Sequence, residues 1–174
     1  MIKIYTDGSA RNTRNNGKKD SEGGYGVAVF NEQNELIHIY SEQCIHITNN
    51  QAELKAILYA FQLARTLYRD EICIIYSDSA YCVNICNNWI YTWAKNNWIN
   101  SKKQQIENIH LIQSLYNYLT IDFFNCQVCK CRGHNNEIGN EIADALATNN
   151  RKKFKQLLQE NSIKILSIEN FKKI

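Results

Sequence analysis

The sequence has no proline, only one methionine and no apolar run long enough to cross a membrane. Its longer apolar stretches, such as Ile72–Tyr76, fall far short of the roughly 20 residues that a transmembrane helix needs. Asp7 interrupts the apolar segment near the N-terminus, so we expect no secretory signal peptide. These absences predict a cytoplasmic protein without a membrane partner. The lack of proline indicates a skewed coding composition, and no function is inferred from it.

Hydrophobic content and cysteine usage are those of an ordinary globular protein. Hydrophobic residues make up 44% of the 174 residues and charged residues 21%, which excludes an intrinsically disordered chain. The seven cysteines are an odd number in a chain without an export signal. We therefore expect reduced thiols, most of which pack as small hydrophobic side chains. The length predicts one domain with an extension at one end.

Positive charge is concentrated at the C-terminus. Residues 151–174 carry seven Lys or Arg against two Asp or Glu, whereas residues 1–150 carry 13 against 15. The formal net charge of +3 is therefore divided into +5 and −2. An acidic body with a basic tail suits a nucleic-acid enzyme, although a basic run is usually a solvated face.

Hydrophobic periodicity and turn residues predict the element order βββαβααβα. The predicted strands span residues 2–5, 25–30, 35–40, 72–76 and 121–131. The predicted helices span residues 49–67, 79–98, 106–119 and 137–148, with Asn49 or Asn50 as the first cap and Ser79 as the second. Residues 10–24 are predicted to form a long polar loop. This order is typical of an α/β domain whose sheet combines a hairpin with parallel crossovers.

Four acidic residues fall where these elements would bring them together. Asp7 follows the first strand, and Asp78 follows the central strand. Glu53 is predicted in the first turn of the first helix, and Asp144 on the last helix. Because binding crevices form at the carboxyl ends of strands in open α/β sheets, we expect an acidic site there.

The segments that carry these acids resemble, in order and spacing, those of the type-1 ribonuclease H family. They are Thr6-Asp7-Gly8-Ser9, Thr48–Leu54, Ser77–Tyr81 and Gly133-His134 followed by Gly139–Asp144. The resemblance covers residues 1–149 and leaves 150–174 as a basic C-terminal extension. It implies a ribonuclease H-like α/β fold with a five-stranded mixed sheet, in which three antiparallel strands precede the parallel ones and helices flank the sheet.

The resemblance also implies an endoribonuclease that hydrolyses the RNA strand of RNA·DNA hybrids by a two-metal-ion mechanism, leaving 5′-phosphate and 3′-hydroxyl ends. Gathered carboxylates repel one another unless cations neutralise them. Oxygen ligands suit Mg²⁺, for which Mn²⁺ could substitute. By resemblance Asp7 bridges two ions, Asp78 holds the ion on the nucleophile side, and Asp144 completes the shell. Glu53 holds the other ion and contacts a ribose 2′-hydroxyl, while His134 assists proton transfer or product release.

Seven further residues match substrate-binding positions of the family. Those before and within the first helix would contact the minor groove and the DNA strand, the two after Asp7 would lie near the RNA, and the tryptophan would contact DNA sugars. The set is Gly8, Ser9, Thr48, Asn49, Asn50, Gln51 and Trp89.

The sequence departs from the family pattern at two places. Residues 93–105 match a basic protrusion that grips DNA in many members, yet they contain only three lysines. Fewer phosphate contacts weaken nucleic-acid binding, which the 10–24 loop or the basic tail could offset. The second departure is Cys126-x₂-Cys129-x₄-His134, which resembles the opening of a zinc knuckle. The fourth ligand position holds Gly139, so reduced cysteines in a strand are the better interpretation.

Two other functions remain open. A nuclease on the same fold could cut DNA, although the Thr48-Asn49-Asn50 segment before Glu53 resembles hybrid-cleaving enzymes. A binding module, either a catalytically weak hybrid binder or a zinc adaptor built on Cys126, Cys129 and Cys131, is disfavoured by the four retained carboxylates and by Gly139. We expect a stand-alone monomer without an obligate protein partner, and no N-terminal binding module before the first strand.

Overall fold

In this computed structural model three successive strands are followed by a helix, a fourth strand, a run of helices, a fifth strand and two final helices. The structure describes residues 1–15, 18–120, 125–131 and 137–166. Among these it describes all side chains except those of 12–15 and 18–20. The strands are β1 (Ile2–Asn15), β2 (Lys18–Phe30), β3 (Leu36–Ile45), β4 (Cys73–Ser77) and β5 (Cys126–Lys130). The helices are α1 (Asn49–Leu67), α2 (Ala80–Asn84), α3 (Ile90–Lys95), α4 (Ile109–Leu119), α5 (Ile138–Ala147) and α6 (Arg151–Glu160). No helix in this part of the chain combines the length and hydrophobicity that a membrane crossing requires.

The five strands form one mixed sheet in the order β3-β2-β1-β4-β5. β1 pairs antiparallel with β2, and β2 pairs antiparallel with β3. β4 pairs parallel with β1 and with β5. The predicted fold, with three antiparallel strands followed by parallel ones, is confirmed.

The first strand is longer than predicted. β1 continues beyond residue 5, where the sequence predicts its end, and pairs with β2 as far as Asn15↔Lys18. The loop predicted over 10–24 is therefore wrong for the described residues of that span. Beyond Glu22, which pairs with Ile45, the β1–β2 hairpin extends past the third strand. A two-stranded extension has no buried face that must be apolar, so hydrophobic alternation does not reveal it.

The first helix has the predicted extent but a different cap. Thr48, not Asn49 or Asn50, is the N-cap of α1: its hydroxyl accepts from the Gln51 backbone N–H at 3.2 Å. The Gln51 side-chain oxygen accepts from the Thr48 backbone N–H at 3.0 Å, which completes a capping box. Glu53 is consequently the fifth residue of the helix and lies just past the first turn, in which it was predicted.

Helices cover both faces of the sheet, as a buried mixed sheet requires. Ile4 of β1 packs in a cluster with Phe61 and Leu115 of α1 and α4. The next residue, Tyr5, points to the opposite face and packs with Ile142 of α5 and Phe154 of α6. This alternation follows from the two-residue period of a strand.

The later elements follow the predicted order with shorter bounds. Ser79 caps α2, as predicted, but the helix predicted to reach residue 98 is divided by a π-helical turn over Ile85–Trp89 and ends at Lys95. The last strand is described over Cys126–Lys130, and residues 121–124 of its predicted span lie outside the described residues.

The C-terminal extension packs on the rest of the protein. Phe154 of α6 is buried against α5. Further along, the Leu36 N–H donates to the Lys164 carbonyl at 2.9 Å and the Leu166 N–H to the Leu36 carbonyl at 3.1 Å. The described part of residues 150–174 is therefore docked on the domain and is not a loose appendage.

Candidate metal centre and substrate surface

Three carboxylates meet where the parallel pairing of β1 and β4 ends. The last pair in that register is Thr6↔Ser77, so Asp7 and Asp78 are the next residues on neighbouring strands. Glu53 reaches the same point from α1. One carboxylate oxygen from each of the three acids lies within 4.8 Å of the other two.

Gly8 allows α1 to approach β1 closely enough for this meeting. A Cβ atom at Gly8 would lie 2.2 Å from the Glu53 backbone nitrogen and 2.4 Å from the Ala52 carbonyl carbon. Any side chain would push the helix away, because these neighbours are backbone atoms. The proximity of Glu53 to Asp7 thus depends on the absence of a side chain at position 8.

Burial and mutual repulsion raise the pKa values of two of these acids. Asp7 is 8% exposed and Glu53 6% exposed. Burial, followed by the charges of Asp78 and Asp144, raises the pKa of Asp7 to about 8. Burial, followed by the charges of Asp7 and Asp78, raises the pKa of Glu53 to about 9. Without a cation, the folded protein therefore favours protonated forms of both acids near neutral pH.

The cluster has the chemistry of a site for a hard divalent cation. Glu53 Oε2 is buried without a hydrogen-bond partner among the described residues. A buried carboxylate oxygen without a donor is costly unless a cation satisfies it. Because all three candidate ligands are carboxylates, the set suits Mg²⁺ or Mn²⁺ better than softer metals.

The fourth predicted acid, Asp144, lies beside the trio and is held in an ion pair. Its Oδ2 is 2.6 Å from Lys153 Nζ, which also lies 2.7 Å from Glu141 Oε2. Asp144 is close enough for its charge to raise the pKa of Asp7, but it is not one of the three mutually close acids. His134, the remaining predicted catalytic residue, lies outside the described residues.

Asn140 is a neighbour of the site that sequence reasoning missed. It is buried on α5, and its Nδ2 donates to Asp78 Oδ2 at 3.3 Å. Its Oδ1 accepts from the Cys131 thiol at 3.4 Å, so the amide orientation is fixed from both ends. The sequence could have indicated Asn140, because it stands four residues before Asp144 and so lies on the same face of the helix as that predicted site residue.

The residues predicted to contact substrate at the start of α1 lie shortly before Glu53 along the chain, and several make local contacts. Thr48 and Gln51 form the capping box described above, and Ser9 pairs with Gly24 in the hairpin. Asn49 Oδ1 accepts from the Ala10 backbone N–H at 3.2 Å, and the Asn50 side chain is exposed.

Trp89 lies at an open groove. Its side chain is 40% exposed and lies in the π-helical turn. The centroid of its ring is 5.8 Å from that of Trp93 and 6.2 Å from that of Tyr81. The groove has a volume of about 680 Å³, and its lining includes Trp89, Trp93 and Lys95. Exposed aromatic rings next to a cation are a surface on which nucleotides can stack.

The cysteines do not form a metal cluster in the described part of the chain. All seven are free thiols, as predicted. Cys126 and Cys129 are three residues apart on β5 and so point to opposite faces of the strand. The Asp7, Glu53 and Asp78 group is the one candidate metal site among the described residues. The fourth ligand position of the zinc-knuckle pattern is Gly139, where even a Cβ atom would lie 2.2 Å from the Tyr5 ring, so the fold leaves no room there for a ligand side chain.

Comparison with known proteins identifies the family. The family model described as RNase H matches residues 1–152. A ribonuclease H of Orientia tsutsugamushi is 37% identical over 160 residues, covering 92% of this chain and 88% of the relative. A ribonuclease H of Caldicellulosiruptor saccharolyticus is 33% identical over 150 residues, covering 84% of this chain and 92% of the relative.

Solved structures support the same fold. The solution structure of the PFV RNase H domain has a TM-score of 0.73 and 24% identity, covering 85% of this chain and 92% of that chain. The crystal structure of LC9-RNase H1, described as a type 1 RNase H with the type 2 active-site motif, has a TM-score of 0.66 and 18% identity, covering 95% of this chain and 86% of that chain. Together with the acidic cluster, the sequence matches lead to one conclusion: this chain belongs to the RNase H family.

Proposed function

We propose that this protein, a nuclease by its family, is an endoribonuclease that hydrolyses the RNA strand of RNA·DNA hybrids and leaves 5′-phosphate and 3′-hydroxyl ends. The observation that carries the proposal is the meeting of Asp7, Glu53 and Asp78 around a buried, unpartnered Glu53 oxygen in a chain of this family. Residues 1–149 form the catalytic domain in this proposal. The cellular setting is cytoplasmic and the active form a monomer.

Asp7, Glu53, Asp78 and Asp144 would hold two Mg²⁺ ions, or Mn²⁺ in their place. Bound ions of this kind activate a water and neutralise charge on a phosphodiester during in-line displacement. The three close carboxylates supply oxygen ligands from three different elements, β1, α1 and the end of β4. Ligands held by helices and strands are positioned more precisely than ligands held by loops.

The chain's other residues have supporting roles in this proposal. Asn140 orients Asp78 through its 3.3 Å hydrogen bond, and Gly8 keeps Glu53 next to Asp7. The exposed Asn50 would contact the DNA strand, and the backbone at Gly8 and Ser9 would lie near the RNA strand, where 2′-hydroxyls distinguish RNA from DNA. Trp89 would stack on the sugars of the DNA strand. His134 would move a proton or assist product release.

A cleavage assay with four arms tests the proposal. A labelled RNA·DNA hybrid, duplex DNA and duplex RNA are each incubated with Mg²⁺, and the hybrid also with EDTA. We expect Mg²⁺-dependent cutting of the RNA strand in the hybrid alone, with 5′-phosphate ends. Asp78→Asn should abolish cutting, whereas Asp70→Asn, which changes an exposed aspartate in the turn after α1, should not.

Each other outcome has a definite meaning. Cutting of duplex DNA would identify a DNA nuclease on the same fold. Binding of the hybrid without cutting would identify a catalytically weak binding module. Activity that survives EDTA would refute the metal centre.

A further inference from the structure

A lysine just beyond the family-matched region, Lys153, forms an ion pair with Asp144, one of the predicted metal ligands. The family match ends at residue 152, and the next residue is Lys153. Its ammonium is 2.6 Å from Asp144 Oδ2 and 2.7 Å from Glu141 Oε2. A cation from the extension is thus in direct contact with an acid beside the Asp7, Glu53 and Asp78 trio.

The structure holds this ammonium in place. The Lys153 backbone N–H donates to the Asn150 side-chain oxygen at 3.0 Å, which caps α6. The Asn150 N–H donates to the Ala145 carbonyl at 2.7 Å, which ties the start of α6 to α5. The neighbouring Phe154 is buried on the same surface. Lys153 is therefore anchored from both sides, whereas Lys152 and Lys155 of the same helix are exposed.

We propose that Lys153 is a built-in counter-ion that competes with a divalent cation for Asp144 and so weakens metal binding at that side of the site. The inference rests on the proposed metal centre. An ammonium and a divalent ion cannot both use Asp144 Oδ2 fully, and their charges repel. In the metal-free protein, the same ammonium offsets the repulsion among the gathered carboxylates.

The size of the effect follows from the exposure of the pair. The Lys153 and Asp144 side chains are 30% and 25% exposed, so water screens much of their interaction with a nearby ion. A unit charge and a divalent ion separated by several ångströms of water-like medium change affinity on the order of tenfold. Loss of the ammonium should therefore tighten Mg²⁺ or Mn²⁺ binding by about that factor.

The test measures metal binding directly, without relying on activity. The full-length chain, Lys153→Met, Lys153→Arg and the matched control Lys155→Met are titrated with Mg²⁺ and Mn²⁺ by calorimetry and by thermal unfolding. We expect Lys153→Met to bind the metal about tenfold more tightly than Lys155→Met and to melt at a lower temperature in EDTA. Saturating metal should reduce or reverse that difference in melting temperature. Lys153→Arg keeps the cation and should bind metal about as weakly as the unmodified protein.

The remaining outcomes overturn the inference. Equal metal affinity in Lys153→Met and Lys155→Met would refute competition at Asp144. A loss of melting temperature that is the same with and without metal would mean that Lys153 only docks α6. If the unmodified protein shows no metal binding at all, the proposed metal centre fails together with this inference.

Discussion

Replacing Glu53 by glutamine should stabilise the metal-free protein at alkaline pH. The pKa of Glu53 is raised from 4.5 to about 9, chiefly by burial and then by the charges of Asp7 and Asp78. The folded state therefore holds this proton more strongly than the unfolded state does. Below pH 4.5 both states are protonated and the group contributes nothing. As pH rises from 4.5 towards 9 the unfolded chain ionises first, so stability of the folded state falls.

The magnitude follows from the two pKa values. At pH 8 the unfolded glutamate is ionised, and each pH unit above its ordinary pKa costs the folded state about 1.4 kcal/mol, which sums to an upper limit of about 5 kcal/mol. Glu53→Gln removes this penalty but leaves a buried amide that needs hydrogen-bond partners. We therefore expect a net gain of about 2 to 4 kcal/mol at pH 8, which raises the melting temperature by about 5 to 15 °C.

Thermal unfolding in EDTA at pH 5 and pH 8 measures this gain. The stabilisation should be large at pH 8 and should nearly vanish at pH 5. Glu107→Gln, which changes an exposed glutamate before α4, controls for the loss of one negative charge and should show little change at either pH. With saturating Mg²⁺ the order should reverse, because the unmodified site, with its full set of carboxylates, gains more from cation binding than the Glu53→Gln site does. A Glu53→Gln protein that is less stable than the unmodified protein in EDTA at pH 8 would refute the reasoning.

Three shorter predictions follow from other contacts of the site. Asn140→Ala removes the hydrogen bond to Asp78, and we expect the cleavage rate to fall by about tenfold with little change in hybrid KM. Gly8→Ala forces a Cβ against the Glu53 backbone; it should cost about 2 kcal/mol in urea unfolding and weaken the Mg²⁺-induced rise in melting temperature. Phe154→Ala should cost about 3 kcal/mol in the same unfolding assay and, by loosening α6, should tighten Mg²⁺ binding as Lys153→Met does.

The sequence predicts those elements whose stability depends on one buried face. α1 has the predicted extent because its apolar residues recur with helical spacing and pack on the sheet. The extended β1–β2 hairpin escaped prediction because backbone pairing alone defines it. Thr48 was missed as the cap, although Thr at the N-cap with Gln three residues later is a capping-box pattern.

The acidic trio could be anticipated from local order along the chain, but its geometry could not. Asp7 and Asp78 are neighbours because β1 and β4 are adjacent and in register at Thr6↔Ser77, a long-range pairing. Glu53 joins them because Gly8 admits the α1 backbone. Neither the register nor this close approach leaves a periodic signal in the sequence, so the burial that raises the pKa values of Asp7 and Glu53 could not be predicted.

The basic tail shows why net charge is a poor guide to a partner. Its charge of +5 suggested a surface for nucleic acid, yet two of its cations are paired with acids of the domain. Lys153 contacts Asp144 and Glu141, and Lys164 lies 2.9 Å from Glu35. A cation already paired with a carboxylate offers less to a phosphate, because binding must first break the pair. The position of each charge, rather than the net charge of the tail, therefore decides what the tail can bind. Lys153 in particular is directed at an acid of the candidate metal centre.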